Sequence, residues 1–188
     1  MGNKFLFIEI RDQEISSLLN KLRELFSNRK FHTGIHITIK GPQKSFRTKS
    51  IEKFLEEKNP IKIYDAGIFL NRDTYIVYLK VICNNLRGHL WRKPDYKDEI
   101  NPHITLYKGS DKNIAEAVLE FLKKENISLE CKDYGIITHT QRQRELFSKP
   151  PKSDEPDIYN LEQGECIKKG ILSRAADVLV EAKRQGVA

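Results

Sequence analysis

A chain of 188 residues with 39% hydrophobic content is long enough for one domain with its own core, or for two small lobes around a cleft, and too apolar to be a disordered tail. Its 33 Lys plus Arg exceed its 26 Asp plus Glu by seven; from Lys149 onward seven basic and seven acidic residues cancel, so the whole excess lies in the first 148 residues. A basic core suits anionic partners such as nucleotides or RNA, and equally a solvated, Lys-rich surface. Three widely separated cysteines, Cys83, Cys131 and Cys166, argue against a disulfide framework and for reduced thiols used in packing. The opening MGNKFLFIEI has no apolar run long enough for a signal peptide or membrane span, and Leu6 stands where a myristoylation signal needs Ser or Thr. A soluble, cytoplasmic protein without membrane association is expected.

In chain order, KFLFIEI is a short aromatic and β-branched run fit for a strand. In DQEISSLLNKLRELF, Ile15, Leu18, Leu19, Leu22, Leu25 and Phe26 recur at helical spacing. GIHITIKGP reads as a strand stopped by Gly41 and Pro42, and SIEKFLEEKN as a shorter amphipathic helix ending before Pro60. IKIYDAGIFL and TYIVYLKVI are strands joined by the turn NRD, so the first half reads β-α-β-α-β-β. A helix over NNLRGHLWRK and a polar loop lead to NPHITLYKG, a strand. Asp111 then caps a strong helix striped by Ile114, Ala117, Val118, Phe121 and Leu122. ISLECKDYGIITHT and RELF supply further strands.

After Phe147 the composition changes to SKPPKSDEPD, a proline-rich linker without aliphatic residues. Beyond it Ile171, Leu172, Ala175, Leu179 and Ala182 form a helical stripe, with Gly186 as its stop. This divides the chain into a domain over 1–148 and an appended linker and helix over 149–188. Most such stripes pack on a core; the alternative is presentation to a protein partner, which nothing in the sequence requires.

Residues two apart share one side of a strand. In GIHITIKG this places His36, Thr38 and Lys40 together, with Ile37 and Ile39 on the other face; in NPHITLYKG it places His103, Thr105 and Tyr107 together, with Ile104 and Leu106 opposite. One His-x-Thr is common; two, 67 residues apart (36 to 103) and each leading into a helix, suggest a diverged duplication. Should the two strands meet across a cleft, one imidazole can take a proton from an attacking oxygen while the other gives one to a leaving oxygen. The two hydroxyls can donate to the non-bridging oxygens of a phosphate held between them.

The paired tetrapeptides HITI and HITL resemble the two-histidine phosphoesterase superfamily, which includes RNA 2′,3′-cyclic phosphodiesterases and 2′-5′ RNA ligase-like proteins. The resemblance spans about residues 4 to 148 in element order. It implies an α+β fold of two duplicated lobes, with antiparallel sheets around a central groove, and no metal or cofactor. It makes His36 and His103 an acid/base pair and Thr38 and Thr105 phosphate ligands. The expected substrate is an RNA end or a small, sometimes cyclic, nucleotide. A non-catalytic nucleotide- or RNA-binding module using the same groove is the competing reading.

Five further residues are candidates for substrate binding, each with a structural alternative. Tyr107 could stack on a base or pack; Lys40 could meet a phosphate or emerge into solvent; Phe7 could reach the groove wall or fill the core. Arg142 and Arg144, in HTQRQREL, could contact phosphate or stay solvated. His32, His89 and His139 read as ordinary polar residues: Gly34 and the β-branched run after it argue against a helix that would set His32 and His36 as zinc ligands.

Overall fold

The computed structural model describes residues 4–27, 31, 33–90, 101–140 and 165–185. The expected RELF strand, the proline-rich linker, Arg142, Arg144, His32 and Gly186 lie outside them. The elements are β1 (Lys4–Ile10), α1 (Gln13–Ser27), β2 (His36–Gln43), α2 (Thr48–Glu56), β3 (Ile61–Asn71), β4 (Thr74–Cys83), a single-turn α3 (Leu86–His89), β5 (His103–Gly109), α4 (Lys112–Glu125), β6 (Ser128–Cys131), β7 (Tyr134–Thr140) and α5 (Glu165–Gln185). The class is α+β: two antiparallel sheets, ordered β2-β1-β7 and β5-β4-β3-β6, with helices packed against them.

The β-α-β-α-β-β order expected of the first half is the order found. Two helices begin at side-chain caps: Asp12 Oδ1 accepts from Ile15 N at 3.0 Å before α1, and Asp111 Oδ1 accepts from Ile114 N at 3.1 Å before α4. Asn126, in the left-handed conformation at φ 46°, ends α4. The expected helix over NNLRGHLWRK is found only as the turn α3, and its remainder from Trp91 lies outside the described residues.

One boundary differs from expectation. Gly41 and Pro42 do not stop β2, which continues to Gln43 paired with Lys4. Proline lacks the N–H of a ladder and is tolerated at a sheet edge, and β2 is the edge strand of its sheet. Gly41 adopts φ 149°, and a Cβ there would lie 2.5 Å from Cδ1 of Phe5. The glycine therefore lets the strand bend past Phe5, between the register shifts that flank Leu6.

The pairings β1·β2 and β4·β5 correspond residue by residue. Glu9 faces His36 as Lys80 faces His103; Ile8 faces Ile37 as Leu79 faces Ile104; Phe7 faces Thr38 as Tyr78 faces Thr105. In both, the register shifts at the next step, Leu6 meeting Lys40 and Val77 meeting Tyr107. Even the bonds beyond the ladders agree: Ile10 N donates to Ile35 O and Val81 N to Pro102 O, each at 3.0 Å. The three-stranded sheet is not built from one continuous stretch of chain, because β7 returns to pair with β1, whereas β3 to β6 of the other sheet follow one another in the sequence. The two edge strands β2 and β5 approach one another, and α1 packs on β5.

The apolar stripe of α5 packs back against α1 and α4, as the first of its two expected fates had it. Ala175, Leu179 and Ala182 are buried, and the Arg174 fork donates from Nε and Nη2 to the two Glu125 carboxylate oxygens, each at 2.7 Å. The carboxyl of Glu125 is held below its usual range chiefly by that hydrogen bond. Burial pushes the thiols of Cys83 and Cys131 up to about 11, so neither of these two is a ready nucleophile. No helix among the described residues is long and apolar enough to cross a membrane. Leu179→Ala should lower unfolding free energy by about 2 kcal/mol or more, as removal of a buried leucine side chain does. Urea denaturation of the full chain measures this, and an unchanged midpoint would mean that α5 does not brace the fold.

Candidate functional site

The site begins with two strands whose inner faces are filled. Ile37 and Ile39 on β2, and Ile104 and Leu106 on β5, are 1% exposed or less. With those side chains in the core, alternation sends His36 and Thr38, and His103 and Thr105, to the opposite face of each strand. All four then line a single cavity of about 220 Å³, together with Arg23, Ser27, Phe31, Thr33, Tyr107 and Lys108. The sequence placed each pair on a strand face; the packing of β2 near β5 is what joins the pairs.

Each imidazole is oriented twice over. Nδ1 of His36 lies 3.0 Å from Gly34 O, and Nδ1 of His103 lies 2.8 Å from Asn101 O. A carbonyl only accepts, so both Nδ1 atoms carry hydrogen, leaving Nε2 as the nitrogen that can change protonation. Aromatic rings from β1, β3 and β4 then lie against the imidazoles. Phe7 tilts against His36 at 4.7 Å between centroids; Tyr78 and Phe69 meet His103 at 4.9 and 5.6 Å. Such contacts hold a ring at about 0.5–1.5 kcal/mol each.

The His103 side is the more tightly braced. The Tyr78 ring lies across Gly67, where a Cβ would come within 2.5 Å of it, and its hydroxyl accepts from Asn101 Nδ2 at 3.1 Å. Tyr78 thus supports the imidazole directly and also the residue whose carbonyl binds it. Burial lowers the pKa of His103 below its ordinary value of 6.5, partly offset by the bond to Asn101, so the neutral ring is favoured. The unfolded chain therefore takes up this proton first as pH falls. The contribution of His103 to stability is complete above 6.5 and is lost as pH drops through the folded value.

The secondary candidates divide. Phe7 lies on the same side of its sheet as His36, half-buried against the imidazole rather than in the core. Tyr107 contributes to the cavity wall but is 5% exposed; past the register shift its ring enters the core and its hydroxyl donates to Asp111 O at 3.3 Å. Lys40 lies one step beyond the shift in β2 and is not among the residues lining the cavity. Arg142 and Arg144 lie outside the described residues. His89 is structural: its Nε2 donates to Glu57 Oε1 at 2.8 Å, which holds the Glu57 carboxyl below its usual range. Among the described residues no three His, Cys, Asp or Glu side chains converge as metal ligands.

Sequence reading missed Tyr78, Asn101 and Arg23. The first two act through His103 and carry no motif of their own. Arg23 did leave a signal: it occupies a position of α1 flanked by Leu19, Leu22 and Phe26, on the apolar side where an arginine is unusual. Comparison with known proteins adds no relative: no family model matches the chain, and no curated protein matches it significantly.

Titrating the imidazoles by NMR should give His103 a midpoint below 6.5, and Tyr78→Ala should move it up toward that value by admitting water. A wild-type midpoint at or above 6.5, or one indifferent to Tyr78, would contradict this account of the site.

Proposed function

We propose that this protein is a metal-independent phosphodiesterase of the two-histidine phosphoesterase type. On this reading the fold is a diverged duplication whose two lobes flank a central groove. The substrate is a 2′,3′-cyclic phosphate, or a 2′,5′ or 3′,5′ linkage, in an RNA end or small nucleotide. The observation that carries the proposal is the convergence of two His-x-Thr pairs on one cavity, each imidazole locked through Nδ1 to the carbonyl two residues before it. A lone satisfied histidine needs no second copy of its register, its bulge and its aromatic brace.

The chemistry divides between the two rings. His103, kept neutral by burial, starts in the form a base requires and takes a proton through Nε2 from the attacking water. Water oxygen bonds to phosphorus, and the bond from phosphorus to the ribose oxygen breaks. His36, the acid of this division, gives that leaving oxygen its proton, so a cyclic phosphate opens to a monoester and a hydroxyl. Thr38 and Thr105 donate to the non-bridging oxygens as charge builds on them. The volume of about 220 Å³ is below the roughly 300–1,000 Å³ of pockets that enclose a drug-sized ligand. It suits a phosphate with part of a sugar, the base lying outside.

Mass spectrometry of the protein incubated with nucleoside 2′,3′-cyclic phosphates and with 2′,5′- and 3′,5′-linked dinucleotides should show turnover of at least one, unaffected by chelators. His36→Ala and His103→Ala should each cost about 10²- to 10⁴-fold, and the double variant far less than the product, because the two rings act as a unit. Thr38→Ala or Thr105→Ala should cost about 10- to 10³-fold. Activity should rise and fall with pH between two apparent values belonging to the pair. Binding without turnover would make the site a non-catalytic module, and full activity in His36→Ala would end the two-histidine mechanism.

A further inference from the structure

The far end of β2 differs from the far end of β5, although the two strands share a register. Between residues 37 and 55 stand Lys40, Lys44, Arg47, Lys49 and Lys53 against the single acid Glu52, so this segment holds four of the chain's seven excess positive charges. Lys44, Arg47 and Lys49, where β2 passes into α2, are exposed, and none is paired with a carboxylate among the described residues. At the end of β5 the charges balance: Asp111 caps α4, and Lys112 lies 3.4 Å from Glu116. Unpaired like charges held close together repel one another, and a polyanion relieves that repulsion.

The face that leads from the motif to this end is aromatic. Leu6, Ile8 and Ile10 are buried, so Phe5 and Phe7 stand on the other face of β1, the face of His36, and neither belongs to the core. Their rings are parallel to within 4° at 6.1 Å, Phe7 meeting His36 and Phe5 lying against Gly41. The rings that meet His103 are arranged otherwise: Phe69 and Tyr78 are tilted 50° to one another, and Tyr78 is buried. A parallel pair continues into a stack with a planar base; a tilted pair does not. We infer that β1 and β2 carry a single-stranded RNA away from the site. The end of the strand is held by His36, Thr38, His103 and Thr105, a base stacks beside Phe5, and phosphates farther along meet Lys44, Arg47 and Lys49. This rests on the phosphodiester reading above and narrows its substrate to RNA ends. At about 3.3 Å per residue, β2 from His36 to Gln43 spans on the order of 20 Å. A mononucleotide does not reach across it, whereas roughly six nucleotides at the stacked spacing of about 3.4 Å do. Cations act on phosphates within about 8–10 Å at moderate salt, so the three side chains need no fixed contact geometry.

Two substrates with the same reacting end test this on the full chain: adenosine 2′,3′-cyclic phosphate, and an RNA of about ten nucleotides, long enough for the path at stacked spacing, that ends in it. At low salt the RNA should be opened with kcat/KM about 10- to 100-fold higher. Its logarithm should also fall against the logarithm of salt concentration with a slope steeper by about 2, as three cations on a single strand give. In the triple variant Lys44→Ser, Arg47→Ser, Lys49→Ser the advantage and the extra slope should vanish while the mononucleotide is opened at the wild-type rate, which also reports that the variant is folded. Phe5→Leu keeps an apolar side chain against Gly41 and should cost the RNA about 5-fold or more; an unchanged rate there overturns the stacked base. Equal wild-type rates on the two substrates, or an advantage that survives the triple variant, overturn the path and leave the phosphodiester reading standing. Loss of both substrates alike in the triple variant overturns it too. Turnover of neither by the wild-type protein defeats the path together with the cyclic-phosphate form of that reading.

Discussion

Everything at the site depends on the register of two edge strands. Ile37 and Ile39, and Ile104 and Leu106, must be inside, and with a side-chain period of two that requirement alone sets where the histidines and threonines point. A slip of one residue in either strand would expose two core side chains, at roughly 1.5–3 kcal/mol each, and bury an imidazole and a hydroxyl, at about 1–3 kcal/mol for each one unsatisfied. Such a sum is comparable to the whole stability of a small domain. Hydrophobic burial therefore aims the polar groups, and no polar interaction need do so. The Nδ1 bonds and aromatic contacts then refine what the register has already decided.

The two halves of the site share a backbone plan and differ in side chains. Opposite each motif threonine stands an aromatic residue, Phe7 in one case and Tyr78 in the other. The hydroxyl that distinguishes them reaches Asn101, where the first half has Gly34, which has no side chain to be held. One imidazole is consequently pinned through a side-chain network and shielded by two rings, while the other rests on a glycine carbonyl and one ring. Two identical environments would give two histidines with the same proton affinity. Burial shifts His103 toward its neutral form, the direction that the proposed acid/base division asks of its base.

The sheets also explain why the halves act as one body. The last strand of the described core, β7, completes the sheet begun by β1 and β2, and β3 joins the sheet that carries β5. Each motif strand is thus anchored by chain from both sides of the sequence midpoint. Helix α5 adds a brace across α1 and α4, so the helix bearing Arg23 is held by α5 as well as by β5.

The sequence by itself determined the local matters: strand and helix order, the Asp111 cap, and the side of each strand on which His36, Thr38, His103 and Thr105 stand. These are legible because periodicity and capping are properties of neighbours in the chain. It misjudged the end of β2, since a proline is a stop signal except at a sheet edge, and edges exist only once strands are ordered into sheets. It extended the alternation to Tyr107, whose path is turned by a register shift that appears only against β4. That β2 and β5 converge, that Tyr78 and Asn101 hold His103, and that Arg23 reaches the same cavity were decided by tertiary structure. Each is a relation between residues far apart in the chain, fixed by packing against surfaces that no local pattern encodes.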